Sequence, residues 1–127
     1  MTRFYRSRSS KVYGGGENIS SSKYHNEKIT YKGETFDSRK EFEYYLILED
    51  RQKRGEITQL VRQLPLTIQE GFLMPDGSKV RPITYIADFA YYENGIIHYV
   101  DVKGFKTEVY KLKKKLLAFQ GIYIEEV

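Results

Sequence analysis

The sequence contains no cysteine. That excludes disulfide scaffolds, zinc–thiolate centres and cysteine nucleophiles, and it fits a reducing compartment. Histidine is nearly absent too. His25 and His98 lie far apart, and neither has a spacing that suits a metal site or a catalytic triad. No apolar run approaches the ~20 residues of a membrane span, and the first residues lack the apolar core of a secretory signal. The expectation is a cytoplasmic protein that makes no use of a membrane. What remains is a 127-residue chain of ordinary apolar and charged content, enough for one domain with one core.

The formal net charge of +4 is unevenly placed. Arg3, Arg6, Arg8, Lys11 and Lys23 against Glu17 put all of it in residues 1–23, so the rest of the chain is formally neutral. This leading stretch is rich in Arg, Ser and Gly and has no apolar periodicity, so it reads as a disordered basic arm. A basic arm on a neutral body points to a polyanionic partner, and nucleic acid is the expected one. Residues 24–127 are expected to form the domain.

Along that domain, Tyr24–Phe36 reads as a short hairpin turning near Lys32-Gly33. Asp37–Arg54 is the best helix, with Ser38 to cap it and Gly55 to end it. Its stripe of Glu41, Tyr45, Leu48 and Gln52 places Glu41 at the head of a largely apolar face. Ile57–Phe72 reads as a bent strand, at a sheet edge or bulged at Pro65. Pro75-Asp76-Gly77 is a turn signal, and the following hairpin is entered from Lys79. Lys106–Phe119 reads as a second helix with Val109, Leu112, Leu116 and Phe119 as its apolar row, and Ile122–Ile124 as a last strand. The core order αβββαβ makes this an α/β domain with a mixed sheet, because a helix between two strands permits a parallel return.

The most informative stretch is Thr84–Lys103, two strands joined by Asn94-Gly95, the strongest short-range hairpin signal. With a two-residue loop Glu93 faces Ile96, and counting outwards Asp88 faces Asp101. Opposed residues share a face, and Lys103 falls two residues further along it. Like charges directly opposed destabilise a sheet. Two carboxylates forced together among apolar neighbours suit a hard divalent cation between them. The bland alternatives are a solvated charged face beside a lysine, or a one-residue slip that parts the pair.

Four residues therefore form the candidate catalytic set: Glu41, Asp88, Asp101 and Lys103. The three carboxylates would hold Mg2+, with Mn2+ as a substitute, and the lysine would stabilise developing negative charge in phosphodiester hydrolysis. Glu41 has a competing role as the N3 residue of a capping box opened by Ser38, and Glu43 is the alternative helix ligand. The second helix carries Lys111, Lys113, Lys114 and Lys115. Lys111, Lys114 and Lys115, with Arg81 and the arm residues Arg3, Arg6 and Arg8, are the candidate DNA contacts; the helix lysines read equally well as a solvated face.

These residues carry a resemblance. Asp88 in YIADF, Asp101-Val102-Lys103 in VDVKG and Glu41 in FDSRKEFEYY match the pattern of the PD-(D/E)XK nuclease superfamily, and the element order matches its restriction-endonuclease-like core. The four segments FDSRKEFEYY, PITYIADFAYY, VDVKGFKT and YKLKKKLLAF together resemble a small phage-associated single-domain family within it, over about residues 24–127. Ala87 stands where the motif has Pro. The resemblance implies a Mg2+-dependent DNA endonuclease, working in the host cytoplasm on phage DNA recombination, replication or processing. Branched DNA such as a Holliday junction is among the implied substrates, and a homodimer would let two sites nick two strands. Two other readings stay open: a non-catalytic DNA-binding or recombination-accessory protein that retains the fold, and a phage structural or interaction protein whose carboxylates pair with Lys103.

Overall fold

A computed structural model describes residues 27–102 and 106–127. The basic arm of residues 1–23, with Arg3, Arg6 and Arg8, and also Lys103, lie outside the described residues. Among the described residues ten elements follow one another. They are β1 (Ile29–Tyr31), β2 (Glu34–Phe36), α1 (Arg39–Lys53), β3 (Thr58–Gln69), β4 (Phe72–Leu73), β5 (Lys79–Val80), β6 (Ile83–Glu93), β7 (Ile96–Asp101), α2 (Glu108–Phe119) and β8 (Ile124–Glu126).

The main sheet has the order β3-β6-β7-β8. β3 and β7 flank β6 antiparallel, whereas β8 returns parallel to β7 after the α2 crossover, so the sheet is mixed. The β6–β7 turn is made by Asn94 and Gly95 at φ 54° and 78°, the left-handed pair that a two-residue hairpin loop demands. It fixes the register at Glu93↔Ile96 through Phe89↔Val100. The β1–β2 hairpin turns at Lys32-Gly33, as its sequence suggests.

Helix α1 begins where Ser38 Oγ accepts from Glu41 N at 3.1 Å. It ends in a Schellman motif, with Gly55 at φ 80° and bonds from Gly55 N to Gln52 O and from Glu56 N to Arg51 O.

Of the two alternatives for β3 the sheet edge holds, and two other expectations are corrected. β3 is an edge strand, but its irregularities lie between Thr58 and Val61 and between Thr67 and Gln69; Pro65 pairs regularly opposite Ile86. Proline at an edge needs no bulge, since its missing N–H costs no ladder bond on the open side. Phe72 and Lys79 belong to neither long strand. They fall in a separate hairpin, β4–β5, around Pro75-Asp76-Gly77. Gly71 leads into it, where an added Cβ would stand 2.8 Å from Val80 O.

The second correction concerns α2. Val109, Leu112, Leu116 and Phe119 are all exposed, Phe119 at 92%. The buried residues of the helix are Tyr110 and Leu117, with Lys113 and Lys114 half-buried on the same side. That face is built from amphipathic side chains whose stems pack and whose heads find acceptors. Lys113 Nζ donates to Thr84 O at 2.9 Å, Tyr110 Oη donates to Glu126 Oε2 at 2.6 Å, and Lys114 Nζ pairs with Glu126 at 3.0 Å.

Two apolar clusters form the core. Tyr85 and Ala87 of β6 join Leu66, Tyr110, Leu117 and Ile124, while Phe89 and Tyr91 of the same strand join Leu48, Ile57 and Val100. Asp88 stands at the division between them. Several tyrosines serve this packing: Tyr85, Tyr91 and Tyr110 are buried, and Tyr44, Tyr45 and Tyr99 pack at its margin. Among the described residues, no helix is long and apolar enough to cross a membrane.

Candidate metal centre

The β6–β7 ladder closes as a regular register at Phe89↔Val100, one pair short of the aspartates. Beyond it the side chains take over the bonding. Asp101 Oδ1 accepts from Asp88 N at 2.9 Å, and Asp88 Oδ2 accepts from Val102 N at 2.9 Å. Each carboxylate thus stands where a ladder carbonyl would, bound to the backbone of the opposite strand. This reconciles two like charges with one hairpin, because a carboxylate that accepts amide N–H bonds is stabilised in its ionised form. Both are buried, Asp88 at 6% and Asp101 at 0% exposure. On the far side of β7, Asp101 O accepts from Val127 N and Asp101 pairs with Glu126, which docks β8 against this end of the strand.

Glu41 approaches from α1 and is also buried, at 5% exposure. Burial and then the nearby Asp88 carboxylate push its pKa up to about 7, against the opposing pull of Arg62. Only one half of the capping box is used for capping. Glu41 N bonds to Ser38, while the Glu41 carboxylate turns to β3, where Oε2 accepts from Arg62 Nη2 at 3.2 Å and from Gln63 Nε2 at 3.3 Å. Glu43 is exposed and sits 4.0 Å from Arg39, away from this group.

Arg62 and Gln63 are the residues that sequence reasoning misses. Arg62 spans Glu34 at 2.7 Å, Thr35 O at 3.2 Å and Glu41, with its guanidinium 3.8 Å from the centre of the Phe36 ring. A signal for it exists. Arg62 occupies the alternate row of Leu60, Leu64, Leu66 and Ile68, and a charge in such a row needs a buried partner. Gln63 gives no comparable signal. It has φ 54° inside a strand and lies between the pairs Arg62↔Phe89 and Leu64↔Ala87, at the level of Asp88.

The site therefore brings Glu41, Asp88 and Asp101 into one buried region, with Lys103 outside the described residues. As placed, no three Asp, Glu or His side chains among the described residues form a group that could hold a metal ion. The donor chemistry still fits a hard cation, for all three acids offer oxygen, and the Asp88 carboxylate adds to the cost of ionising Glu41. Of the candidate DNA contacts, Lys111 lies in the first turn of α2 and pairs with Glu108 at 3.2 Å. Lys114 shares Glu126 with Lys106, and the Tyr110 hydroxyl, followed by these two lysines, holds the Glu126 carboxyl down at about 2. Lys115 and Arg81 are exposed.

Residues 21–126 match the family described as Protein of unknown function (DUF1064). No curated protein and no solved structure matches the chain.

Proposed function

Starting from a chain that belongs to the DUF1064 family, we propose that it is a divalent-cation-dependent DNA endonuclease with a restriction-endonuclease-like core, acting in the cytoplasm on phage DNA. The observation that carries the reading is the fork between the middle of β6 and the end of β7, where Asp101 accepts from the Asp88 amide and Asp88 accepts from the Val102 amide, with Glu41 of α1 beside them. Buried acids gathered in this way cost stability, and a function that needs them accounts for that cost.

Glu41, Asp88 and Asp101 would hold Mg2+ or Mn2+, and the cation supplies Lewis-acid polarisation of the phosphoryl oxygen and a more acidic bound water. The chain's own part is to fix the two aspartates through Asp88 N and Val102 N and to keep both buried. Lys103, two residues after Asp101, would stabilise charge developing on the phosphate. Lys115, Arg81 and the basic arm, with Lys111 and Lys114 once freed from their acidic partners, would meet the DNA backbone.

A non-catalytic DNA-binding protein is the second reading, and the Arg62–Glu41 ion pair favours it, since a carboxylate engaged by arginine needs no metal. Incubation with linear, nicked, flap and four-way-junction DNA separates the two. The first predicts cleavage with Mg2+ or Mn2+ that EDTA abolishes, and retained binding without cleavage in Lys103→Ala. Binding of DNA with no cleavage under any metal condition supports the second.

A further inference from the structure

The contact that holds the Glu41 carboxylate on β3 is built from several parts. Arg62 comes from the edge strand β3, its side chain only 13% exposed, and it is gripped by Glu34, the Thr35 carbonyl and the Phe36 face as well as by Glu41. Its Nε is buried with no hydrogen-bond partner among the described residues. An arginine whose fork is fully used is a fixture; one with a buried N–H to spare is held less completely than its surroundings allow. Next to it, Gln63 takes a left-handed φ of 54° in mid-strand, at the level of Asp88, and aims its amide at the same Glu41 oxygen. Such a conformation costs about 1–3 kcal/mol and persists only where the surroundings enforce it.

Both donors converge on Oε2 of Glu41, the residue that would have to turn toward Asp88 and Asp101 to complete a cation site. We propose that Arg62, steadied by Gln63, is a built-in counter-cation for Glu41 which an incoming divalent cation displaces, so that metal binding is coupled to release of the α1–β3 contact. This rests on the cation reading of the site and adds to it a residue that opposes binding. With Glu41 gone from its grasp, Arg62 keeps Glu34, Thr35 O and Phe36. The exchange therefore does not strand a buried charge, which is what makes it feasible in a low-dielectric site.

The test is Mn2+ titration by calorimetry at pH 8, with melting temperature measured without metal and at saturation, on the wild type, Arg62→Met, Arg62→Lys and Gln63→Ala. Under this proposal the Arg62–Glu41 contact stabilises only the metal-free form, while the contacts of Arg62 with Glu34, Thr35 O and Phe36 serve both forms. Arg62→Met should therefore melt lower without metal, bind Mn2+ about tenfold tighter, and gain more in melting temperature from saturating Mn2+ than the wild type does. Arg62→Lys keeps the charge and should return close to wild-type affinity. Gln63→Ala should tighten binding by less, and it serves if Arg62→Met does not fold. A purely structural Arg62 would lower the melting temperature equally with and without metal and leave affinity unchanged, which overturns the proposal. Weaker binding in Arg62→Met and Gln63→Ala overturns it as well. Absence of Mn2+ binding in the wild type removes the cation reading and this proposal together, an outcome distinct from equal binding in all four proteins.

Discussion

Glu41 is where residue-scale electrostatics is most exposed to experiment. Its carboxyl is raised from 4.5 to about 7 by burial and by Asp88. A raised acid binds more protons in the folded state than in the unfolded one, so metal-free stability should fall as pH rises from about 4.5 and reach its full loss above about 7. A tenfold change in a protonation equilibrium is worth about 1.4 kcal/mol, so the total is a few kcal/mol. Glu41→Gln removes the titration but keeps the shape and the bonds from Arg62 and Gln63. The melting-temperature difference between Glu41→Gln and the wild type should therefore widen in favour of the variant from pH 5 to pH 8, and shrink when Mg2+ is added. A difference that is flat with pH would show that Glu41 carries no such strain. Glu43→Gln is the control and should change nothing, since Glu43 is exposed. The three acids are legible in the sequence because each breaks an apolar pattern in a place that a turn or a cap pins down. Gln63 is not, because its part depends on a backbone conformation that no residue type announces.

Elements with strong local punctuation can be read from the chain, and elements decided by tertiary packing cannot. Asn94-Gly95 and the Ser38…Gly55 pair mark their own ends through φ and capping, which are properties of one or two residues. The face of α2 is different. Val109, Leu112, Leu116 and Phe119 fall at heptad spacing and suggest the core, yet the sheet selects the row of Tyr110, Lys113, Lys114 and Leu117, in which the polar tips of the first three reach Glu126 and Thr84 O. Apolarity alone cannot reveal that a partner carboxylate and carbonyl wait on the other side. The two faces differ in what truncation should cost. Leu117→Ala should destabilise by about 2–5 kcal/mol, whereas Leu116→Ala should cost under about 1 kcal/mol. Chemical denaturation of both variants checks this, and equal losses would put the apolar row back in the core. Gly95→Ala should cost about 1 kcal/mol, because alanine is strained at φ 78°.

At the scale of the whole molecule, the αβββαβ order with a parallel last pair follows from counting elements, because a helix between two strands leaves few other returns. The inserted β4–β5 hairpin escapes that count, since two-residue strands have no periodicity to find. Charge asymmetry is the other whole-molecule property, with a net +4 in residues 1–23 and a neutral remainder. Deleting residues 1–22 should leave the melting temperature unchanged, weaken DNA binding, and lower the log–log salt slope by about 0.9 for each phosphate that the arm neutralises. An unchanged slope would mean that the arm does not touch DNA. The central claim is that the fork of β6 and β7, with Glu41 beside it, is a divalent-cation site. Calorimetric titration of Mn2+ into the wild type, Asp88→Asn and Asp101→Asn addresses it most directly. Saturable binding in the wild type that both substitutions abolish is the predicted result, and wild-type-like binding in Asp101→Asn would contradict it.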